Sequence, residues 1–212
     1  MDFPRPALER QLEDGVRALG LSLPDGATAR LIDYLQLLAQ WNRTYNLTAV
    51  RDPAAMVTRH LLDSLALLPH VTGTSAADLG SGAGLPGLVL AIADPARRWL
   101  LVDSNGKKAR FLRAAVRELG LGHVDVAQER VEAVDGTFDC ITARAFASLP
   151  DMLAWGGHLL AADGRWLAMK GQHPDGELAA LPGGFAVEAE HRLTVPGLDA
   201  ARHLIILHRH DA

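Results

Sequence analysis

Apolar residues recur at helical spacing through the first third of the chain and give way, near residue 75, to short apolar runs separated by helical stretches. Leu8, Leu12, Val16 and Leu19 lie three or four places apart and predict a helix over 7–19, stopped at Gly20. Ser22, with Asp25 three places on, resembles a capping box, and Leu31, Tyr34, Leu35, Leu38 and Trp41 make the stripe of a second helix. Asn42, Thr44, Asn46 and Thr48 favour turns, so 41–52 reads as a loop. Asp52 before Pro53 marks a third helix start, with Met56, His60, Leu61, Ser64, Leu65 and Leu68 on adjoining faces. Residues 69–75 read as a linker.

Beyond it, a strand opening at Ala76 and runs at 99–102, 124–127, 138–143, 166–169, 185–190 and 203–207 alternate with helices at 88–93, 107–119 and 149–155. Such alternation implies a parallel sheet covered on both faces. No helical pattern separates the last two runs, which are expected to pair antiparallel at a sheet edge. The predicted class is α/β: a mostly parallel seven-stranded sheet with an antiparallel edge pair in 71–212, preceded by a helical extension in 1–70.

With 49% hydrophobic and 22% charged residues, the 212-residue chain belongs with folded globular proteins. Cys140 is the single cysteine, so neither an intramolecular disulfide nor a cysteine metal cluster is expected, and a reducing, cytoplasmic compartment is the natural setting. The N-terminus shows no secretory signal, no apolar run is long enough for a membrane span, and no zinc spacing occurs, the terminal His208 to His210 included. A net charge of −4 argues mildly against nucleic acid, but the distribution of charge matters more than its sum. Lys107, Lys108, Arg110, Arg113 and Arg117 gather on one predicted helix, whereas Arg97 and Arg98 read as surface charges.

The candidate chemistry centres on DLGSGAGLPG, 78–87. Gly80, Gly82 and Gly84 allow a sharp turn that brings backbone close to a ligand, and Asp103 closes the second strand, where a carboxylate can accept both ribose hydroxyls. Gly82, Gly84 and Gly87 also satisfy a dinucleotide fingerprint, so both cofactor types fit. Asp78 before the loop would repel a pyrophosphate and face the cationic end of S-adenosylmethionine, and Pro86 removes an N–H that a pyrophosphate would use. These two residues favour a methyltransferase over an NAD-dependent oxidoreductase. A binding or assembly protein without chemistry is the other alternative.

The chain resembles the RsmG (GidB) family of bacterial 16S ribosomal RNA guanine-N7 methyltransferases. The resemblance rests on WNRTYNLTAVRDP, RHLLDSL, DLGSGAGLPG, LVDSNGKKARFLR, RVE, ARAFASL, MKGQ and PGLDAARHL, in that order along nearly the whole chain. It implies a Rossmann-like class I methyltransferase that moves a methyl group from S-adenosylmethionine to N7 of a guanine in 16S ribosomal RNA. The partner implied is that RNA or the small ribosomal subunit, with the protein a monomer and no membrane involved. Position by position, it implies cofactor contacts at Gly80, Leu85, Val131, Glu132 and Arg144, with Gly82 and Gly84 in the same loop, Asp103 on the ribose and Asp78 on the methionine end. Lys170, Arg144 and Asn46 become candidates for the catalytic or substrate side. His60 reads as a core histidine. The sequence departs from the family at Asn105, where an apolar residue is expected, and the effect is placed on packing at the helix start.

Overall fold

The computed structural model describes residues 3–210, so 1–2 and 211–212, the outer ends of the two expected domains, lie outside the described residues. Its sheet contains β1 (Ser75–Leu79), β2 (Arg98–Val102), β3 (Val124–Ala127), β4 (Phe138–Arg144), β5 (Leu160–Lys170), β6 (Phe185–Arg192) and β7 (His203–Arg209), in the order β3-β2-β1-β4-β5-β7-β6. The first five strands are parallel, and β7 runs antiparallel between β5 and β6. The seven-stranded sheet with its antiparallel pair is thus as the sequence predicts. Strand order reverses between β1 and β4, which opens a crevice beyond their carboxyl ends.

Helices cover both faces. On one, α1 (Arg5–Ala18) and α2 (Ala27–Tyr45) bury Leu8, Leu12, Leu31 and Leu35 in the cluster that also holds Leu101, Leu167 and Leu204 of the sheet. A third helical stretch, α3 (Pro53–Met56), a π-turn over Val57–Leu62 and α4 (Asp63–Leu65), joins the same core, as do α5 (Gly87–Ala93) and α6 (Gly106–Glu118). On the other face α7 (Leu149–Gly156) packs Leu149, Met152 and Leu153 against Leu79, Ile141 and Trp166. A short α8 (Asp175–Leu178), which the apolar pattern does not announce, follows β5. The Tyr34 hydroxyl donates to the Ala83 carbonyl at 2.7 Å in the buried interior, which pins α2 to the glycine loop.

Several local expectations change. The helix α2 continues to Tyr45, because Asn42 is buried and its side-chain Oδ1 accepts the Thr48 N–H at 2.9 Å, serving the next turn from inside the helix. No capping box forms at Ser22; α2 starts behind Gly26 without a side-chain cap. Asp52 does cap its helix, accepting the Ala55 N–H at 2.9 Å. Arg97 is no free surface charge: it is largely covered and donates to the carbonyls of Thr72 and Gly73 while pairing with Asp94. Asn105 is the N-cap of α6, accepting the N–H groups of Lys107 at 3.0 Å and Lys108 at 3.3 Å, which is what a polar residue supplies there.

Candidate active site

Loops after β1, β2, β3 and β4 enclose a pocket of about 330 Å³ beyond the strand ends, with Gly80, Asp103, Val131 and Glu132 in its wall. Gly80 has φ +70°, and a Cβ built there would lie 2.3 Å from the Phe146 ring. Only glycine leaves that approach open. Val131 and Glu132 enter from a short 3₁₀ turn, Val131–Ala133, with Glu129 and Arg130 just before it.

Asp103 is oriented by the backbone. One carboxylate oxygen accepts the Gly82 N–H at 2.8 Å and the other accepts the Asn105 N–H at 2.8 Å, with the Lys108 ammonium 3.8 Å away. Each oxygen keeps acceptor capacity for a hydroxyl. Gly82 therefore shapes the site through its N–H, and Gly82 and Gly84 both hold positive φ in the turn.

Asp78 is placed differently from the sequence expectation. It is fully buried, its Oδ2 accepting the Ser81 hydroxyl at 2.7 Å and the Gly87 N–H at 3.1 Å, its Oδ1 the Thr142 hydroxyl at 2.8 Å. Burial raises the carboxyl to about 6, against the lowering effect of these bonds and of Arg144. The carboxylate bolts the loop to β4 and is not among the side chains that line the strand-end pocket. Gly87 makes room for this bolt, since a Cβ there would sit 2.4 Å from that of Asp78. The literal dinucleotide spacing is thus explained by packing. Leu85 is also turned into the core.

Arg144 points away from the pocket as well. Its Nη1 donates to Asp63 at 2.9 Å and to the Arg59 carbonyl at 3.2 Å, and the guanidinium lines a neighbouring cavity together with Lys170. Lys170 donates to Glu177 at 2.7 Å and to the Ala147 carbonyl at 2.9 Å. Asn46 joins neither wall; it ends α2 at φ +50° and accepts from Arg51 at 3.1 Å. His60 shares a 2.9 Å hydrogen bond between its Nε2 and the Thr48 hydroxyl, and burial pushes its pKa down to about 4, so the ring is neutral.

Phe146 and Trp155, which sequence reasoning passed over, meet edge to face at 5.6 Å on the pocket rim. Among the described residues Trp155 is the large apolar side chain left exposed, and it stands beside the buried stripe of Leu149, Met152 and Leu153 on α7. Asp63 and Arg202 were also passed over; a carboxylate inside the apolar RHLLDSL run is the trace they left.

A family model described as GidB, rRNA small subunit methyltransferase G, matches residues 27–205. The ribosomal RNA small subunit methyltransferase G of Marinobacter nauticus is 53% identical over 206 residues, covering 96% of both chains. The protein of that name from Pseudomonas paraeruginosa is 54% identical over 202 residues, covering 94% of both. Among solved structures, the ribosomal protein L11 methylase of Lactobacillus delbrueckii subsp. bulgaricus superposes with a TM-score of 0.54 at 19% identity, over 71% of this chain and 78% of its own. The mitomycin 7-O-methyltransferase MmcR gives 0.60 at 16% identity, over 92% and 75%. These two establish likeness of fold.

Proposed function

The chain belongs to the GidB family, the rRNA small subunit methyltransferases G, and from that premise we propose that it methylates N7 of a guanine in 16S ribosomal RNA with S-adenosylmethionine as donor. The observation that carries the reading is Asp103, a carboxylate fixed by two backbone N–H groups at the wall of the strand-end pocket.

The residues present fit that donor. Asp103 has acceptor capacity for a ribose diol, Gly80 leaves an open floor under Phe146, and the wall carries Asp103, Glu129 and Glu132 against Lys108 and Arg130. A surplus of carboxylate suits a cationic cofactor and repels a pyrophosphate. Gly80, Asp103, Val131 and Glu132 would touch it. Gly82, Gly84, Leu85 and Asp78 act behind them by holding the turn.

When bound, the cofactor supplies an electrophilic methyl group on a sulfonium. Guanine N7 already carries a free lone pair at neutral pH, so this chain needs no general base. Its residues orient and desolvate: Asp103 positions, Phe146 and Trp155 wall off water, and the reacting nitrogen is held in line. Lys170 and Arg144 belong to the substrate side of this scheme, with Asn46 a remoter candidate at the end of α2. The exposed Lys107, Arg110, Arg113 and Arg117 of α6 offer phosphates a second contact face. Among the described residues no helix is long and apolar enough to cross a membrane. A cytoplasmic monomer acting on the small subunit or its RNA is the working picture.

The test is methyl transfer from labelled S-adenosylmethionine to unmethylated 16S RNA, with N7-methylguanosine mapped by position. Cofactor binding without transfer to RNA or subunits would overturn the reading.

A further inference from the structure

The stretch 41–53 gives the proposed chemistry Asn46 alone, yet four of its residues line a separate cavity of about 690 Å³. This cavity lies among the start of α1, the second half of α2 and the start of α3, and it shares no lining residue with the strand-end pocket. Arg5, Arg43 and Arg51 with Gln36, Gln40 and Asn42 supply its polar wall. We propose that it binds the sugar-phosphate backbone of the RNA substrate, at nucleotides other than the one that is methylated. This rests on the reading of the protein as an RNA methyltransferase.

The charge of the wall is one-sided. Among the described residues it carries no carboxylate, in a chain with 25 acidic and 21 basic side chains. Arg5 is already paired with Glu9 and Asp33. Asp52, between Arg51 and Pro53 in the chain, is turned to the Ala55 N–H as the cap of α3. Arg43 and Arg51 are exposed, and among the described residues neither has a carboxylate within ion-pair distance. Two uncompensated cations at one concave surface hold a positive potential that draws an anion.

The donors suit a phosphodiester. Arg51 spends its Nη2 on the Asn46 side chain at 3.1 Å, and Arg43 makes no side-chain hydrogen bond among the described residues. Both planar heads therefore keep donors for a pair of phosphate oxygens. Gln36, Gln40 and Arg43 stand at steps of four and three on one face of α2, and a side-chain amide can donate to a phosphate oxygen or accept a ribose 2′-hydroxyl. Asn42 is committed inward, to the Thr48 N–H at 2.9 Å and the Val50 carbonyl at 3.4 Å, and so fixes the loop that leads to Arg51.

The cavity also has a basic neighbour. Trp41, next to Gln40 in α2, lines a hollow of about 550 Å³ with Arg110, Arg113 and Arg117 of α6, and this too shares no residue with the strand-end pocket. Cations thus flank the last turns of α2 on two sides. A nucleic-acid backbone crossing α2 meets both, whereas a small anion would use one.

The test compares the wild-type protein with Arg43→Gln, Arg43→Lys and, as a control for overall charge, Arg30→Gln, an exposed arginine of α2 outside the cavity. Binding to unmethylated small subunits is measured from 50 to 200 mM salt, and methyl transfer at varied subunit concentration. Expected for Arg43→Gln are about a tenfold loss of affinity and a slope of log affinity against log salt shallower by about one. KM should rise with the lost affinity while kcat stays within about twofold. Arg43→Lys should restore the slope and only part of the affinity. An iron-EDTA group tethered to Arg43→Cys should cut the 16S RNA backbone in the bound subunit; Cys140, the single native cysteine, is buried. An unchanged slope for Arg43→Gln overturns the proposal, as does an equal change for Arg30→Gln. A fall in kcat with KM unchanged overturns it by placing Arg43 at the chemistry. Weakened binding without RNA cleavage from position 43 overturns it in favour of a ribosomal protein as the occupant. All four leave the methyltransferase reading standing; that reading falls only if the wild-type protein transfers no methyl group.

Discussion

Asp78→Asn tests whether the residue is a buried bolt. In the folded protein the carboxyl titrates at about 6, raised chiefly by burial, whereas the unfolded chain holds it near its ordinary 3.8. The folded state therefore binds the proton more tightly, and its stability falls as pH rises from about 4 through about 6, the reverse of a salt-bridged aspartate. At 1.36 kcal/mol for each pH unit, the interval is worth about 3 kcal/mol. Asparagine fits the same bonds: its carbonyl can accept from Ser81 and Gly87 in place of Oδ2. Its amide can donate to Thr142, whose hydroxyl already lies 3.4 Å from the Ala77 carbonyl and can turn to it. The variant should fold, and should lack the titration. Urea unfolding of both proteins from pH 4.5 to 7 measures this, and taking the difference removes the other carboxylates. The stability of Asp78→Asn relative to wild type should climb by about 2 kcal/mol across that range, the first part of the shift lying below pH 4.5. Parallel curves would refute a buried carboxyl whose pKa is raised in the folded state.

Asp103→Ala should weaken S-adenosylmethionine binding by about 10- to 100-fold, since charge-assisted hydrogen bonds contribute roughly 1.5–3 kcal/mol; unchanged affinity by calorimetry removes the ribose role. Tyr34→Phe keeps the ring but orphans the buried Ala83 carbonyl, and should cost about 1–3 kcal/mol in denaturant unfolding. A neutral result would mean that α2 does not anchor the glycine loop. Asn105→Ala removes the cap of α6 and should destabilise by about 1 kcal/mol, whereas Asn105→Leu should recover nothing if capping, not packing, is the residue's work.

The sheet was legible because strands such as Trp166 to Met169 are buried on both faces and so read as unbroken apolar runs. The first two helices, α1 and α2, were legible for the opposite reason, a one-sided stripe. What escaped was direction. The sequence places Asp78 beside the loop, but its partner Thr142 is 64 residues away, and nothing local says that the carboxylate turns inward. Arg144 is the last residue of β4, one place beyond the expected strand, and its heading is decided by Asp63, 81 residues earlier. Turn-forming residues in 42–46 misled in the same way, because burial of Asn42 outweighs its local preference. Asp103, by contrast, is held by groups of the loop and of its own strand end, so its place could be read directly.

The position of β7 has a consequence for how the molecule is made. Among the described residues it is the last strand, yet it fills an interior slot, and β6 has no other neighbour there. Until His203–Arg209 leaves the ribosome, β5 keeps an open hydrogen-bonding edge and β6 has nothing to pair with. At about 5–20 residues per second the rest of the sheet waits several seconds in that unfinished form. A chain without His203–Arg209 would thus have two exposed edges rather than one missing strand, a form suited to aggregation and to proteolysis.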